Sequence, residues 1–364
     1  MTHGGKILVD ALYAHGARRA YCVAGESYLP VLDAFVDYPD MEIVTCRQES
    51  GATFMAEAYG QLTGTPGIAL VTRGPGACNA AIGVHAARQS STPMIFLVGL
   101  IASADRDKEA FQEVDLVQMF GSLCKWAAVI DSKERIAHYI ALAWQQAMNG
   151  RPGPVVLGLP EEVVFSKTAP QPCKVIAHTL IQPAPADLNQ ISDKLAAAQR
   201  PLIIVGDGGW DDRACEDIAS FSSATHIPVA CAFRRQDIFN HRHANYIGEL
   251  GTGANPALIK RVKEADVILA IGTRLDEITT QSYTLFQEGQ TLIHVYPSPE
   301  VFGKAYAPDL AITAHTAPMA AALAGAVRLD GRRWADWRDA AREDYVRWTD
   351  IPDSSSFAWS GADM

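Results

Sequence analysis

Short apolar runs alternate with helical patterns along the first 165 residues. The runs predict strands at Ala20–Ala24, Glu42–Cys46, Gly67–Thr72, Met94–Gly99, Trp126–Ile130 and Pro154–Leu159, with helices over 4–15, 29–36, 48–63, 77–90 and 133–149. Strict alternation of strand and helix demands crossovers, and so a parallel sheet covered on both faces. Gly25, Gly74 and Gly76 fall where such strands end, and in open α/β sheets ligands sit beyond the carboxyl ends of strands. The helix over Ser50–Leu62 carries Gly51, Ala52, Ala56, Ala58 and Gly60. Residues this small let another backbone approach, whether a symmetry mate or the helix's own sheet.

The pattern dissolves over Ser166–Ala186, SKTAPQPCKVIAHTLIQPAPA, which has four prolines and little periodicity and reads as an interdomain linker. A second alternating unit follows. Its strands are predicted at Pro201–Gly206, Pro228–Ala232, Asp266–Gly272, Thr291–Tyr296 and Leu310–Thr313, its helices over 187–198, 212–224, 255–264 and 315–327. Beyond Asp330, Trp334, Trp337, Ala341, Tyr345 and Trp348 recur at spacings of three or four, an amphipathic helix whose aromatic stripe needs covering. The final PDSSSFAWSGADM has the composition of a disordered end. The expected organisation is therefore a domain over 1–165, a linker over 166–186, a domain over 187–328, and a helix with tail over 329–364. Both domains are α/β with doubly wound parallel sheets.

Composition narrows the partners. With 31 Lys and Arg against 41 Asp and Glu, the formal charge is −10, and no basic block interrupts it. That balance argues against nucleic acid and anionic membrane. No stretch reaches the roughly 18–20 apolar residues of a membrane span, and Met1–Val9 lacks a signal-peptide run. The seven cysteines lie far apart without a Cys-x-x-Cys, which signals neither zinc nor a disulfide framework and suits a reduced, cytoplasmic setting.

Candidate chemistry gathers at Arg47–Gly60, RQESGATFMAEAYG, where Glu49 stands at the mouth of a small-residue helix directly after the strand EIVTC. Ser50, Gly51, Ala52, Phe54 and Met55 offer no second acid, and Arg47 is the only close charge in sequence. A Glu in a helix's first turn can simply complement the helix dipole. Three other segments give this one a different context: Tyr21–Pro30 (YCVAGESYLP), Val71–Asn79 (VTRGPGACN) and Ala110–Asp115 (AFQEVD), together with Lys125 and Arg151–Pro160 (RPGPVVLGLP). In order and spacing they resemble thiamine diphosphate enzymes of the branch holding acetolactate synthases, glyoxylate carboligases and benzoylformate decarboxylases. The resemblance runs from Gly5 to about Ala326.

The resemblance implies an aminopyrimidine-binding first domain and a Rossmann-like central domain. It makes Glu49 the carboxyl group that hydrogen-bonds ring nitrogen N1′ and so favours the imino tautomer that activates the cofactor. Gly25, Thr72, Pro75, Asn79 and Gln112 would line the cofactor site, with Phe111 and Gln112 on the substrate side. Departures from the family pattern are Ala24-Gly25 for the usual Pro-Gly, the unusual Glu26, Arg73 for Ser, Gly158 for Asp and Glu161 for Lys. They bear on acetolactate chemistry more than on thiamine use.

Gly206-Asp207-Gly208 mimics the start of a magnesium–diphosphate motif, but that motif needs a later Asn-Asn, which the sequence lacks. It reads better as the first strand-to-helix turn of the central domain, where relatives place FAD over backbone N–H groups. Arg151, Gly206, Gly208, Gly272 and Arg274 are the flavin candidates, and an empty structural domain is the equal alternative. A dehydrogenase-type G-x-G-x-x-G is missing. His241-Arg242-His243, flanked by Asn240 and Asn245, is expected to be a solvated loop, and no metal ligands are assigned.

The family places magnesium and diphosphate on a third domain of a neighbouring subunit. The expectation is thus a homodimer or higher oligomer acting on a small 2-oxo acid. This chain would be the first two domains, inactive alone and completed by a diphosphate-binding domain on another chain or beyond this sequence. The rival expectation is a non-catalytic assembly or regulatory subunit, for which the aromatic helix and the helix after Glu49 would be contact surfaces.

Overall fold

The computed structural model describes residues 1–350, which divide into two compact units, Met1–Thr179 and Leu180 onward. The expected disordered end, from Pro352, lies outside the described residues.

The first unit runs β1 Thr2–His3, α1 Gly4–Ala14, β2 Arg19–Cys22, α2 Leu29–Ala34, β3 Glu42–Thr45, α3 Glu49–Thr63, β4 Gly67–Thr72, α4 Arg73–Gln89, β5 Met94–Gly99, α5 Leu116–Phe120, β6 Trp126–Val129, α6 Ile136–Met148, β7 Pro154–Leu159, α7 Glu161–Phe165 and β8 Lys167–Thr168. Six strands form one parallel sheet in the order β3-β2-β4-β5-β7-β6. The central strands β4, β5 and β7 are buried almost end to end, the continuous apolar pattern of a sheet covered on both faces. One layer of core gathers Leu8, Leu12, Tyr28, Ile140 and Trp144; the other gathers Ala52, Ala56, Phe96 and Phe120. The antiparallel β1–β8 pair, Thr2 opposite Thr168, ties the start of the unit to its end.

One correction, and one choice between alternatives left open by the sequence, concern the site. Helix α4 begins at Arg73 and not near residue 77, so Gly74-Pro75-Gly76 is its first turn and not a free turn before it. Proline suits that position because the first helical N–H groups have no intrahelical partner. In α3, Ala52, Ala56 and Gly60 face the sheet, and a Cβ on Gly60 would strike the Pro93 carbonyl. These small residues serve internal packing, while Phe54, Met55 and Leu62 stay exposed on the outer face.

The second unit runs α8 Pro185–Ala197, β9 Pro201–Val205, α9 Asp212–Thr225, β10 Val229–Ala232, β11 Tyr246–Leu250, α10 Pro256–Glu264, β12 Val267–Ile271, β13 Thr291–Tyr296, β14 Leu310–Thr313, α11 Thr316–Ala326 and α12 Ala335–Thr349. Its sheet is also six-stranded and parallel, in the order β11-β10-β9-β12-β13-β14. Strand β11 was not expected from the sequence pattern. Asn245, expected to be solvated, is 1% exposed, donating to Ser222 and accepting from Arg338.

The aromatic helix is used up within this unit as far as Tyr345. Trp334 is 1% exposed and donates to the Ala198 carbonyl at 3.1 Å, while Trp337 donates to Pro201 at 3.0 Å. Ala341 is buried and Tyr345 packs edge-on against Tyr246, which leaves Trp348 exposed. Trp334→Ala should therefore destabilise the second unit by about 3–5 kcal/mol. Urea unfolding of the full chain measures it, and a loss below about 1 kcal/mol would contradict a core role for this ring.

Candidate functional site

Strand order fixes where each unit can hold a ligand. In the first unit the chain passes from β2 out to β3, then crosses back over β2 to β4. The crevice between the carboxyl ends of β2 and β4 is thus the topological switch point. Gly25 follows β2, Thr72 ends β4, and the two are so close that a Cβ on Gly25 would lie 2.7 Å from Thr72 Cγ2 and 2.9 Å from Oγ1. Glycine is required there by this approach. Ser27, which sequence reasoning passed over, shares a 2.7 Å hydrogen bond with the Thr72 hydroxyl. Beneath them Tyr28 is fully buried and donates to the Val23 carbonyl at 2.5 Å; burial pushes its hydroxyl pKa well above the usual range.

Glu49 is brought to the same crevice by the β3–α3 connection. Gln48 caps α3, its side-chain oxygen accepting from Ser50 N–H at 2.8 Å and Gly51 N–H at 3.2 Å. With that capping done by its neighbour, the Glu49 carboxylate reaches instead to α4, where Asn79 Nδ2 donates to Oε2 at 3.0 Å. The other oxygen, Oε1, lies 3.8 Å from where a Gly76 Cβ would be. Glu49 and Asn79, 30 residues apart, are thus joined, and one carboxylate oxygen is committed while the other faces the glycine-lined start of α4. Pro75 and Asn79 are exposed on the surface of α4.

The loop after β5 supplies the remaining expected residues. Phe111 projects with 77% of its surface exposed, and Gln112 adopts a left-handed backbone (φ +65°) while its carbonyl accepts from Gly74 N–H at 3.0 Å. Asp107 and Glu109 are left-handed too. Glu113 holds this bent segment by accepting from Asp107 N–H at 2.7 Å and Ala110 N–H at 3.0 Å. A cleft of about 310 Å³ opens beside the loop, lined by Leu100, Arg106, Gln112, Glu113, Leu116 and Val129 among others. A Cβ on Gly158 would press on Leu100, Leu116 and Val129, so the wall of the cleft depends on glycine there.

In the second unit the switch point lies between β9 and β12. Gly206, Gly208, Gly272 and Arg274 do converge there. Arg274 pairs with Asp207 at 2.9 Å and with Asp276 at 3.3 Å, and the Tyr296 hydroxyl donates to Asp207 at 3.1 Å. The Gly206 and Gly272 positions are filled by close approach of Ala232 and Thr316. The Gly208 and Gly209 carbonyls accept from Thr316. Helix α9 opens with Asp211 as its cap and Asp212 in its first turn. A flavin's diphosphate needs free N–H groups and positive potential at this turn. Asp207, tied up in its ion pair with Arg274, stands there instead, with the exposed Asp211 and Asp212 adding negative charge at the start of α9, so these residues do not fit FAD. Arg151, the fifth flavin candidate, lies in the first unit, donating to Ser91 Oγ at 2.9 Å and to the Arg88 carbonyl.

Among the described residues no cluster of three or more His, Cys, Asp or Glu side chains could hold a metal ion. His241 contacts the Gln236 carbonyl and His243 the Ser223 hydroxyl, each at 2.9 Å. All seven cysteines are free, and among the described residues no helix is long and apolar enough to cross a membrane.

Residues 2–119 match the model of the thiamine pyrophosphate enzyme N-terminal TPP binding domain, and residues 188–323 that of the thiamine pyrophosphate enzyme central domain. Among curated proteins, the chain is 29% identical over 302 residues to the acetolactate synthase isozyme 2 large subunit of Escherichia coli K12, covering 83% of this chain and 55% of that protein. It is 29% identical over 331 residues to the mitochondrial acetolactate synthase of Schizosaccharomyces pombe, covering 85% and 50%. With the acetolactate synthase large subunit of Parasynechococcus marenigrum the figures are 28% over 347 residues, 93% and 56%. The chain spans about half the length of the curated relatives it matches.

The second-unit crevice yields a direct expectation. Saturating FAD should leave the melting temperature of the full chain unchanged, and the purified protein should carry no flavin absorbance. A flavin-dependent stabilisation would show that the Asp207–Arg274 pair opens to admit the diphosphate.

Proposed function

Because the chain belongs to the thiamine diphosphate enzyme family, in its acetolactate-synthase-like branch, we propose that its first unit grips the aminopyrimidine ring of thiamine diphosphate for decarboxylation of a small 2-oxo acid. The observation that carries this reading is the Glu49–Asn79 pair at the first switch point. Asn79 fixes one carboxylate oxygen of Glu49 and leaves the other to exchange a proton with a ring nitrogen, the task of a positioned general acid–base. Thr72 and Gly25 form the close-packed floor of the crevice, and Pro75, Phe111 and Gln112 its rim. When bound, the cofactor supplies a carbon nucleophile for the carbonyl of the 2-oxo acid. The product is then released or joined to a second carbonyl compound.

Magnesium and diphosphate would be held outside these two units, on a diphosphate-binding domain of the same or another chain. A second copy of this chain is the partner that best suits the outer face of α3 and α4, where Phe54, Met55, Leu62 and Ile82 are exposed. Exposed large apolar side chains on neighbouring helices suit an association surface. The rival assembly-only reading loses one of its two surfaces, since the aromatic helix is largely covered within the second unit. Seven free thiols accord with a cytoplasmic setting.

Thermal unfolding of the full chain with thiamine diphosphate and Mg²⁺ tests the site. A saturable rise in melting temperature is expected for the wild type and is lost in Glu49→Gln, whose fold, read by circular dichroism, is unchanged. An equal response from Glu49→Gln would remove the role assigned to Glu49.

A further inference from the structure

We propose that Arg73 is a specificity-determining residue which receives the carboxylate of a small 2-oxo acid, with Glu161 holding the guanidinium in place until the substrate arrives. The inference rests on the reading of the first-unit crevice given above. Arg73 follows Thr72 directly and opens α4. On one side, Gly74 N–H is bonded to the Gln112 carbonyl of the Phe111–Gln112 loop; on the other, Gly76 lies against Glu49. Arg73 therefore stands between the carboxylate that would face the cofactor and the loop that would face the substrate.

Its surroundings are unusual for a structural arginine. The guanidinium reaches across the end of β5, pairing through Nη2 with Glu161 Oε1 at 2.5 Å beyond β7, and lies 3.9 Å from Glu26 Oε1 beyond β2. Glu26 is 79% exposed and solvated, so it contributes little to holding the arginine. Nε is buried with no hydrogen-bond partner. A buried orphan donor costs about 1–3 kcal/mol. The backbone of Arg73 is itself held left-handed at φ +46°, a conformation that costs a non-glycine residue roughly 1–2 kcal/mol. Backbone strain combined with an unfilled donor marks a group positioned for a ligand more than for the fold.

The ligand class follows from the fork of N–H donors, which matches a planar carboxylate. Glu161, one-third exposed, is a carboxylate already paired with one prong of that fork, Nη2, and stands where the substrate's would dock. Glu161 stays tethered beside the site and swings aside as the substrate's carboxylate takes its place on the guanidinium.

The test is a titration of the full chain with pyruvate, without cofactor, followed by thermal shift and by ligand-observed NMR, with inorganic phosphate and methyl pyruvate as controls. A saturable pyruvate response is expected, with none from methyl pyruvate and a weaker one from phosphate. Arg73→Gln should weaken pyruvate binding by roughly tenfold or more, Arg73→Lys should retain part of it, and Glu161→Gln should tighten it. No saturable response from the wild type, or an unchanged one from Arg73→Gln, would overturn the proposal, as would a preference for phosphate. Melting of each variant without ligand controls for folding. A missing response to thiamine diphosphate would count against the cofactor reading alone, because the pyruvate titration contains none.

Discussion

A parallel strand can be followed by its neighbour only through a crossover that returns the chain to the same edge, and this constraint organises the whole protein. Every β-to-α connection in each six-stranded sheet leaves from the same edge, so polar loop residues from distant parts of the sequence meet there. Where the strand order reverses, two adjacent loops diverge and leave a crevice. Both units have such a point, β2/β4 in the first and β9/β12 in the second. The two are lined differently.

Most of the framework was legible from the chain because fully buried parallel strands advertise themselves as unbroken apolar runs. Gly67–Thr72, Met94–Gly99, Pro154–Leu159 and Thr291–Tyr296 have the bounds expected of them, as does the less buried edge strand Leu310–Thr313. Strand β11 was hidden because Gly248, at φ +123°, interrupts it and its register slips against β10. The start of α4 was hidden by Gly-Pro-Gly, which reads as a turn unless one knows that Gly74 N–H is already satisfied by Gln112. Local pattern carries information about local structure, and these misses depend on contacts made elsewhere.

The site divides along the same line. Glu49, Thr72, Pro75 and Asn79 could be named because they sit in short segments of recognisable spacing. That Asn79 holds Glu49, or that Ser27 holds Thr72, could not, since the partners are 30 and 45 residues apart. Arg73 and Glu161 are 88 residues apart, and from sequence each is only a separate departure from the family pattern. Folding turns two departures into one ion pair.

The two crevices also differ in how they hold their carboxylates, and this difference is chemical. Asp207 is held by the guanidinium of Arg274 and by the Tyr296 hydroxyl, and it is 8% exposed. A full positive charge at 2.9 Å makes the pair expensive to open, which suits a seal. Glu49 is held by the neutral amide of Asn79 at one oxygen alone. An amide orients a carboxylate without adding charge, and so leaves the second oxygen to an arriving donor. Arg73 completes the contrast from the cationic side, because its carboxylate partner is one-third exposed and its Nε has no acceptor. In the second crevice Asp207, Arg274 and Tyr296 satisfy one another, whereas in the first Glu49 keeps one oxygen, and Arg73 its Nε, outside any such closed set.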